Sequence, residues 1–164
     1  ISLQNKKQKD NRRNIYPHRM TNQDTIISNE RTVSFSPETI FAAFQDAEKL
    51  AKWWGPEGFT NTFETFEFRT GGRWVFVMHG PDGTHYDNEC IFDEVSLNKI
   101  VIRHIPLPHF VLTIELTPEG ENTHISWIQE FETAEVAEQV RSVCEPANEQ
   151  NLDRLEAVCA SMNI

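Results

Sequence analysis

Cysteine is scarce in this sequence, because only Cys90, Cys144 and Cys159 occur among its 164 residues. They are odd in number and widely separated, and no two of them form a CxxC pair. This pattern argues against a disulfide framework and against a zinc site built from cysteines. We therefore expect reduced, mostly buried thiols in a cytoplasmic protein that has no metal and no other cofactor.

Motifs that carry common enzyme chemistry are also missing. The sequence has no nucleophile elbow, no glycine-rich phosphate loop and no HExxH motif, and its six histidines are scattered rather than clustered. No apolar run approaches the length needed to cross a membrane, so we expect no membrane insertion. These absences weigh against the enzyme classes that such motifs identify. They leave open an enzyme whose active-site residues come from separate parts of the chain.

The net charge of −10 is unevenly distributed along the chain. Residues 1–19 contain six basic residues against one acidic residue, a net of +5, which leaves −15 for residues 20–164. An acidic body repels nucleic acid, so we predict no nucleic-acid partner. The basic segment lacks the apolar core of a signal peptide. We expect residues 1–24 to be an N-terminal extension outside the fold and residues 25–164 to form one domain.

Residues 66–92 alternate apolar or aromatic residues with polar ones, and glycine-containing turns interrupt the alternation at residues 71–72 and 80–83. A period of two with such turns predicts three consecutive antiparallel strands. Further alternating stretches raise the total to about seven strands, and two short helices are predicted between the first and second strands. One face of the central strand carries large apolar side chains that require a cover, namely Trp74, Phe76 and Met78.

The hydrophobic pattern between Thr133 and Met162 has the period of a helix, which predicts a helical segment long enough to cover the sheet. Pro146 lies inside this segment, and proline removes a hydrogen bond from a helix. We therefore predict a short helix to about Val143 and a longer one from near Pro146, or a kink between them. Leu155 lies on the stripe that is expected to face the sheet.

In the predicted strands, alternation places three polar residues on the same face as the apolar side chains, namely Asn88, His104 and Gln129. A buried polar side chain costs free energy unless it is hydrogen-bonded, so each is either satisfied by a neighbour or part of a site. A mostly apolar wall with a few polar contacts is how small-molecule sites are usually built. The aromatic residues of the same wall either line a cavity or fill it, and the sequence leaves both alternatives open.

Four motifs, taken together in their order, resemble one protein family. They are Trp53-Trp54-Gly55-Pro56, the turn from Phe68 to Trp74, the turn from Met78 to Gly83, and the segment from Asn151 to Leu155. Over residues 25–162 the chain is similar to the SRPBCC superfamily (START-like, birch-pollen-allergen-like). Within it, the chain resembles the group named after the activator of the ninety-kilodalton heat-shock protein's ATPase. The resemblance implies an α+β helix-grip fold, in which a curved antiparallel sheet wraps around a long C-terminal helix and encloses an apolar cavity.

Strand parity and the resemblance together give the candidate cavity residues. They are Trp53, Trp54, Phe59, Trp74, Phe76, Met78, Tyr86, Asn88, Phe92, Ile102, His104, Trp127, Gln129 and Leu155. The leading hypothesis is that a small hydrophobic or aromatic molecule binds in this cavity.

Two other functions remain open. A cyclase- or hydrolase-type enzyme could use the same cavity, with His104 or Tyr86 as the general acid or base. A protein partner, such as a chaperone, could instead be modulated through the acidic surface. The eukaryotic co-chaperone of the resembling group has a further chaperone-binding domain, which residues 1–24 are too few to encode, so we do not expect its role to be inherited with the fold. In each case we expect a monomer or a weak homo-oligomer.

Overall fold

The computed structural model describes residues 22–162, which form one sheet, a short 3-10 helix and three α-helices. The strands are β1 (Ile26–Val33), β2 (Thr60–Phe66), β3 (Arg73–His79), β4 (His85–Ser96), β5 (Lys99–His104), β6 (Phe110–Glu119) and β7 (Asn122–Phe131). The α-helices are α1 (Pro37–Gln45), α2 (Ala47–Trp53) and α3 (Ala134–Met162), and the 3-10 helix spans Asn22–Thr25.

The seven strands form a single sheet in the order β1-β7-β6-β5-β4-β3-β2. Every neighbouring pair is antiparallel, so β2 to β7 form a meander and β1 joins it beside β7. Strands β1 and β2 are therefore the opposite edges of the sheet, and α1 and α2 connect them. The predicted α+β fold, with its curved sheet, two short helices and long C-terminal helix, is confirmed.

Helices α1 and α2 begin at side chains that satisfy free N–H groups of the first helical turn. Ser36 Oγ accepts a hydrogen bond from Thr39 N at 3.2 Å, and Pro37 occupies the first turn of α1. Asp46 ends α1 and also begins α2, where its Oδ1 accepts from Glu48 N at 2.9 Å. This abrupt change of direction brings α2 against β2.

The concave face of the sheet and helix α3 share one apolar core. Trp74 and Phe76 of β3 are 0% and 2% exposed, and Leu155 of α3 is 1% exposed. These side chains belong to one buried cluster, which also includes Cys159 and the partly buried Met162. The long helix is therefore the cover that the apolar face of the sheet requires.

Helix α3 continues without a break through Pro146. The predicted division into two separate helices is therefore wrong. Proline removes only one main-chain hydrogen bond, and contacts with β1 hold the helix around this position. Asn29 Nδ2 donates to Glu145 O at 3.2 Å, and Arg31 Nη2 donates to Glu149 Oε2 at 2.7 Å.

Arg31 makes the main ionic contact between β1 and α3. Its guanidinium lies 2.7 Å from a carboxylate oxygen of each of three α3 residues, Glu149, Asp153 and Glu156. Burial acts to lower the pKa of Arg31, but the hydrogen bonds to the three carboxylates outweigh it and raise the pKa. One side chain of an edge strand thereby holds two turns of the covering helix.

The predicted N-terminal extension covers residues 1–24. Residues 1–21 lie outside the part that the structure describes, so this boundary stays a prediction. The 3-10 helix Asn22–Thr25 precedes β1 and lies against α3. Between residues 22 and 162, no helix combines the length and the apolar character needed to span a membrane.

Candidate functional site

A cavity of about 260 Å³ lies between the concave face of the sheet and helix α3. Strands β3 to β7 form most of the wall, the loop after α2 forms one side, and α3 closes it. The lining consists of Trp54, Gly55, Pro56, Phe76, Met78, Asn88, Cys90, Ile102, His104, Phe110, Leu112, Trp127, Gln129, Cys144, Ala147, Asn148 and Asn151. Most of these side chains are apolar, and the polar ones are few, as in small-molecule sites.

Eight of the predicted site residues line this cavity, namely Trp54, Phe76, Met78, Asn88, Ile102, His104, Trp127 and Gln129. Four others are buried core side chains that do not reach it, namely Trp53, Trp74, Phe92 and Leu155. The remaining two are Phe59 and Tyr86, whose rings lie 6.0 Å apart near the β3–β4 turn, with Tyr86 46% exposed. Strand parity gives the face on which a residue lies, but not its depth along the strand.

The prediction missed lining residues that belong to α3 and β6. Cys144, Ala147, Asn148 and Asn151 come from α3 and are separated by one, three or four residues. This spacing places them on one helical face, which is a signal that could have identified them. Leu112 of β6 also lines the cavity, and it alternates with outward-facing residues in its strand.

His104 lies at the polar edge of the cavity, at the end of β5. Its Nε2 is 2.8 Å from Asn88 Oδ1, its Nδ1 is 2.8 Å from Pro108 O, and its ring stacks on Phe110 with the centroids 4.4 Å apart. Burial lowers the pKa of His104 more than hydrogen bonds to the Pro108 and Pro106 carbonyls raise it. The lowered pKa favours the neutral ring, in which one nitrogen donates and the other accepts. Because the Pro108 carbonyl can only accept, Nδ1 carries the proton, and the unprotonated Nε2 faces the side-chain amide of Asn88.

A chain of hydrogen-bonded side chains connects the outer edge of α3 with the cavity. Glu149 Oε1 accepts a hydrogen bond from Asn29 Nδ2 at 3.2 Å. Asn148 Nδ2 donates both to Asn29 Oδ1 and to Gln129 Oε1, each at 3.2 Å. Gln129 is 7% exposed, so the last member of this chain is fixed within the cavity wall.

Trp127 lies on the same face of β7 as Gln129, two residues earlier, and is 1% exposed. Its buried indole N–H has no hydrogen-bond partner among residues 22–162. Trp74 Nε1 is buried and unpaired in the same way, but Trp74 does not line the cavity. An unsatisfied buried donor costs about 1–3 kcal/mol, and Trp127, a residue that lines the cavity, keeps such a donor.

A comparison of the sequence with models of protein families agrees with this architecture. The model of the family described as "Activator of Hsp90 ATPase homolog 1-like protein" (AHSA1) matches residues 34–160, which include α1, α2, strands β2 to β7 and nearly all of α3. The chain belongs to this family. No curated protein matches the chain.

Solved structures share the fold of this AHSA1-like chain. A protein from Arthrobacter aurescens is 23% identical with a TM-score of 0.79, and the match covers 86% of this chain and 89% of that chain. A protein from Chromobacterium violaceum is 26% identical with a TM-score of 0.72, covering 81% of this chain and 96% of that chain. The AHSA1 protein from Silicibacter pomeroyi is 21% identical with a TM-score of 0.69, covering 84% and 99% of the two chains.

Helix α3 of the AHSA1-like domain also fixes the loop that forms one side of the cavity. Arg154 donates to five main-chain carbonyls within residues 52–59, at distances of 2.6 to 3.2 Å. Asn151 Nδ2 donates to Trp53 O at 2.8 Å. Burial lowers the pKa of Arg154, and the charge of Glu57 acts in the opposite direction. The carbonyls of Lys52 and Trp53 belong to the last turn of α2. Arg154 and Asn151 therefore cap the C-terminus of that helix and hold the loop beside the cavity.

Two thiols line the AHSA1-like cavity, Cys90 and Cys144, and both are free. Burial raises the pKa of Cys90 to about 12, with a further contribution from the charge of Glu89, and burial also raises the pKa of Cys144. Both thiols are therefore protonated at neutral pH and are weak nucleophiles. Over the described residues 22–162, no group of three or more His, Cys, Asp or Glu side chains could hold a metal ion.

Proposed function

We propose that the protein binds a small, largely apolar or aromatic molecule in the cavity between the sheet and α3. The observation that carries this proposal is an interior space of about 260 Å³ with a mostly apolar wall and a few fixed polar groups. An apolar cavity of about 150 Å³ holds benzene, so by proportion this one suits a ligand of about ten non-hydrogen atoms. A bicyclic aromatic molecule has this size.

Family membership supports the same function. The SRPBCC fold of the AHSA1-like family commonly binds hydrophobic ligands. In this chain, Trp54, Phe76 and Trp127 place aromatic rings in the cavity wall, where they offer a flat ligand a large contact area. The rings of Trp54 and Trp127 lie 5.8 Å apart, so part of this aromatic wall is continuous.

The geometry favours binding over catalysis. Tyr86, one of the two candidate acid–base residues, does not line the cavity. The other candidate, His104, directs Nδ1 at the Pro108 carbonyl and Nε2 at the side-chain amide of Asn88, so neither nitrogen is directed at a bound molecule. Modulation of a chaperone stays a prediction that comes from the resemblance.

A cavity-filling substitution tests the proposal. Ala147 lines the cavity from α3, so Ala147→Leu places a larger side chain where the ligand would lie. Ala160 is exposed on the same helix, which makes Ala160→Leu the matched control. With tetralin and α-tetralone as bicyclic probes, we expect the wild type and Ala160→Leu to bind equally and Ala147→Leu to bind about tenfold more weakly or worse.

Tryptophan fluorescence would measure this binding, because two tryptophans line the cavity. Circular dichroism and urea unfolding would show that each variant is folded. A folded wild type that binds neither probe, or equal affinities for Ala147→Leu and Ala160→Leu, would contradict the proposed function.

A further inference from the structure

The cavity wall on β7 carries unused hydrogen-bond donors. Trp127 has a buried indole N–H without a partner among the described residues. Gln129, two residues further along the same face, uses its amide oxygen to accept from Asn148 Nδ2 at 3.2 Å. No hydrogen bond from the Gln129 amide N–H groups is present within residues 22–162, and Gln129 lines the cavity, so these donors are available at its wall.

The orientation of the Gln129 amide follows from the chemistry of the chain behind it. A carboxylate can only accept, so Glu149 requires that Asn29 present its NH₂ group, as does the Glu145 carbonyl. Asn29 is then left with its oxygen facing Asn148, which must donate. Asn148 donates from the same nitrogen to Gln129, so Gln129 must accept through its oxygen. The NH₂ group of Gln129 is thereby the end of the chain that remains free.

The charge of the protein restricts the kind of acceptor that could meet these donors. The chain carries a net charge of −10, and Glu145 and Glu149 lie at the other end of the amide chain. These negative charges would repel an anionic ligand, which would also lose much of its hydration in a mostly apolar cavity. A neutral carbonyl oxygen accepts hydrogen bonds at a much smaller desolvation cost.

We propose that the cavity selects neutral aromatic or alicyclic ketones and related carbonyl compounds, whose oxygen accepts hydrogen bonds from Trp127 and Gln129. This inference rests on the proposed function and adds the chemical class of the ligand. The apolar body of the ligand occupies the aromatic part of the cavity, and its carbonyl oxygen lies against β7. A bound carbonyl also satisfies the indole N–H that the protein otherwise leaves without a partner.

The test compares two probes that differ in one group, because α-tetralone has a carbonyl where tetralin has a methylene. The measured quantity is the selectivity, which is the dissociation constant of tetralin divided by that of α-tetralone. Using this ratio for each variant cancels the different hydration of the two probes and any general loss of packing. Trp127→Phe removes the indole N–H and retains an aromatic ring, and Trp74→Phe is the matched control because its unpaired N–H is outside the cavity.

We expect the selectivity to fall about fivefold in Trp127→Phe and to stay at the wild-type value in Trp74→Phe, as expected for the loss of one hydrogen bond. Gln129→Met, which keeps a similar length but has no donor, provides a second variant and should also lower the selectivity by about fivefold. In infrared spectra, the carbonyl band of bound α-tetralone should lie at lower frequency in the wild type than in either variant.

The possible failures are distinct. If both probes bind in the cavity but neither Trp127→Phe nor Gln129→Met changes the selectivity or the carbonyl band, the ligand class is wrong and the proposed function stands. If the wild type binds neither probe, the proposed function and this inference both fall. A fall in selectivity in Trp74→Phe equal to that in Trp127→Phe would also overturn the inference, because the effect would then not depend on the cavity.

Discussion

At the scale of single residues, His104 is the histidine that lines the cavity, and its pKa is shifted for a clear physical reason. Burial lowers the pKa of His104, hydrogen bonds to the Pro108 and Pro106 carbonyls oppose this, and the charge of His109 lowers the pKa further. The protonated ring is therefore less favourable in the folded protein than in the unfolded chain.

This shift predicts the direction of a pH effect on stability. An unfolded histidine titrates near pH ~6.5, so below that pH the unfolded chain gains a proton that the folded protein resists. The contribution is fully present above the unfolded pKa and is lost as the pH falls from that value through the lower folded pKa. We expect the free energy of unfolding, measured with urea, to decrease less in His104→Gln than in the wild type between about pH 7.5 and 5.

His124→Gln is the control for this experiment, because His124 lies near the surface against Thr32 and Glu30. It should retain the acid sensitivity of the wild type. An equal loss of stability on acidification in the wild type and in His104→Gln would show that His104 does not contribute.

For individual cavity residues, the sequence predicts only the face of the strand on which each one lies. Parity correctly placed His104 and Gln129 on the inner face, because side chains alternate along a strand. It also placed Tyr86 there, although this residue is 46% exposed near the β3–β4 turn. The hydrogen-bond partner of Gln129 is Asn148 of α3, and a contact between distant elements cannot be deduced from local periodicity.

At the scale of elements, α3 shows how tertiary contacts can override a local signal. Pro146 predicts an interruption, but the helix continues through it. Residues of β1 bind the helix at this point, including the hydrogen bond from Asn29 to Glu145 O and the ion pair of Arg31 with Glu149. The order of strands β2 to β7, by contrast, could be predicted, because successive antiparallel hairpins depend on alternation and nearby turns. The position of β1 beside β7 depends on a contact between distant parts of the chain.

The continuous helix makes a prediction about Pro146. Pro146→Ala restores the main-chain N–H that can donate to the carbonyl four residues earlier and removes the ring that opposes it. Because surrounding contacts already hold the helical backbone, we expect the free energy of unfolding to rise by about 1–2 kcal/mol. Urea denaturation would measure this change, with Glu145→Ala at the exposed neighbouring position as the control. A less stable Pro146→Ala protein would mean that the proline is required for the packing of α3.

At the scale of the whole molecule, the cavity is the space that remains where helix α3 does not fill the concave face of the sheet. Large core side chains such as Trp53, Trp74 and Phe92 fill the space on one side. On the other side, α3 presents smaller residues, including Cys144 and Ala147, and space remains. The resemblance implied such a cavity, but its volume and position depend on how all the elements pack together.

Contacts between a bound probe and the cavity wall test the central claim most directly. With isotope-labelled methyl groups and α-tetralone, nuclear Overhauser effects would identify the side chains beside the ligand. We predict contacts with Met78, Ile102 and Leu112, which line the cavity, and none with Ile125 or Leu155, which are buried outside it. A folded protein that shows no contacts with the probe, or contacts only with residues outside the cavity, would contradict the claim that this space is a binding site.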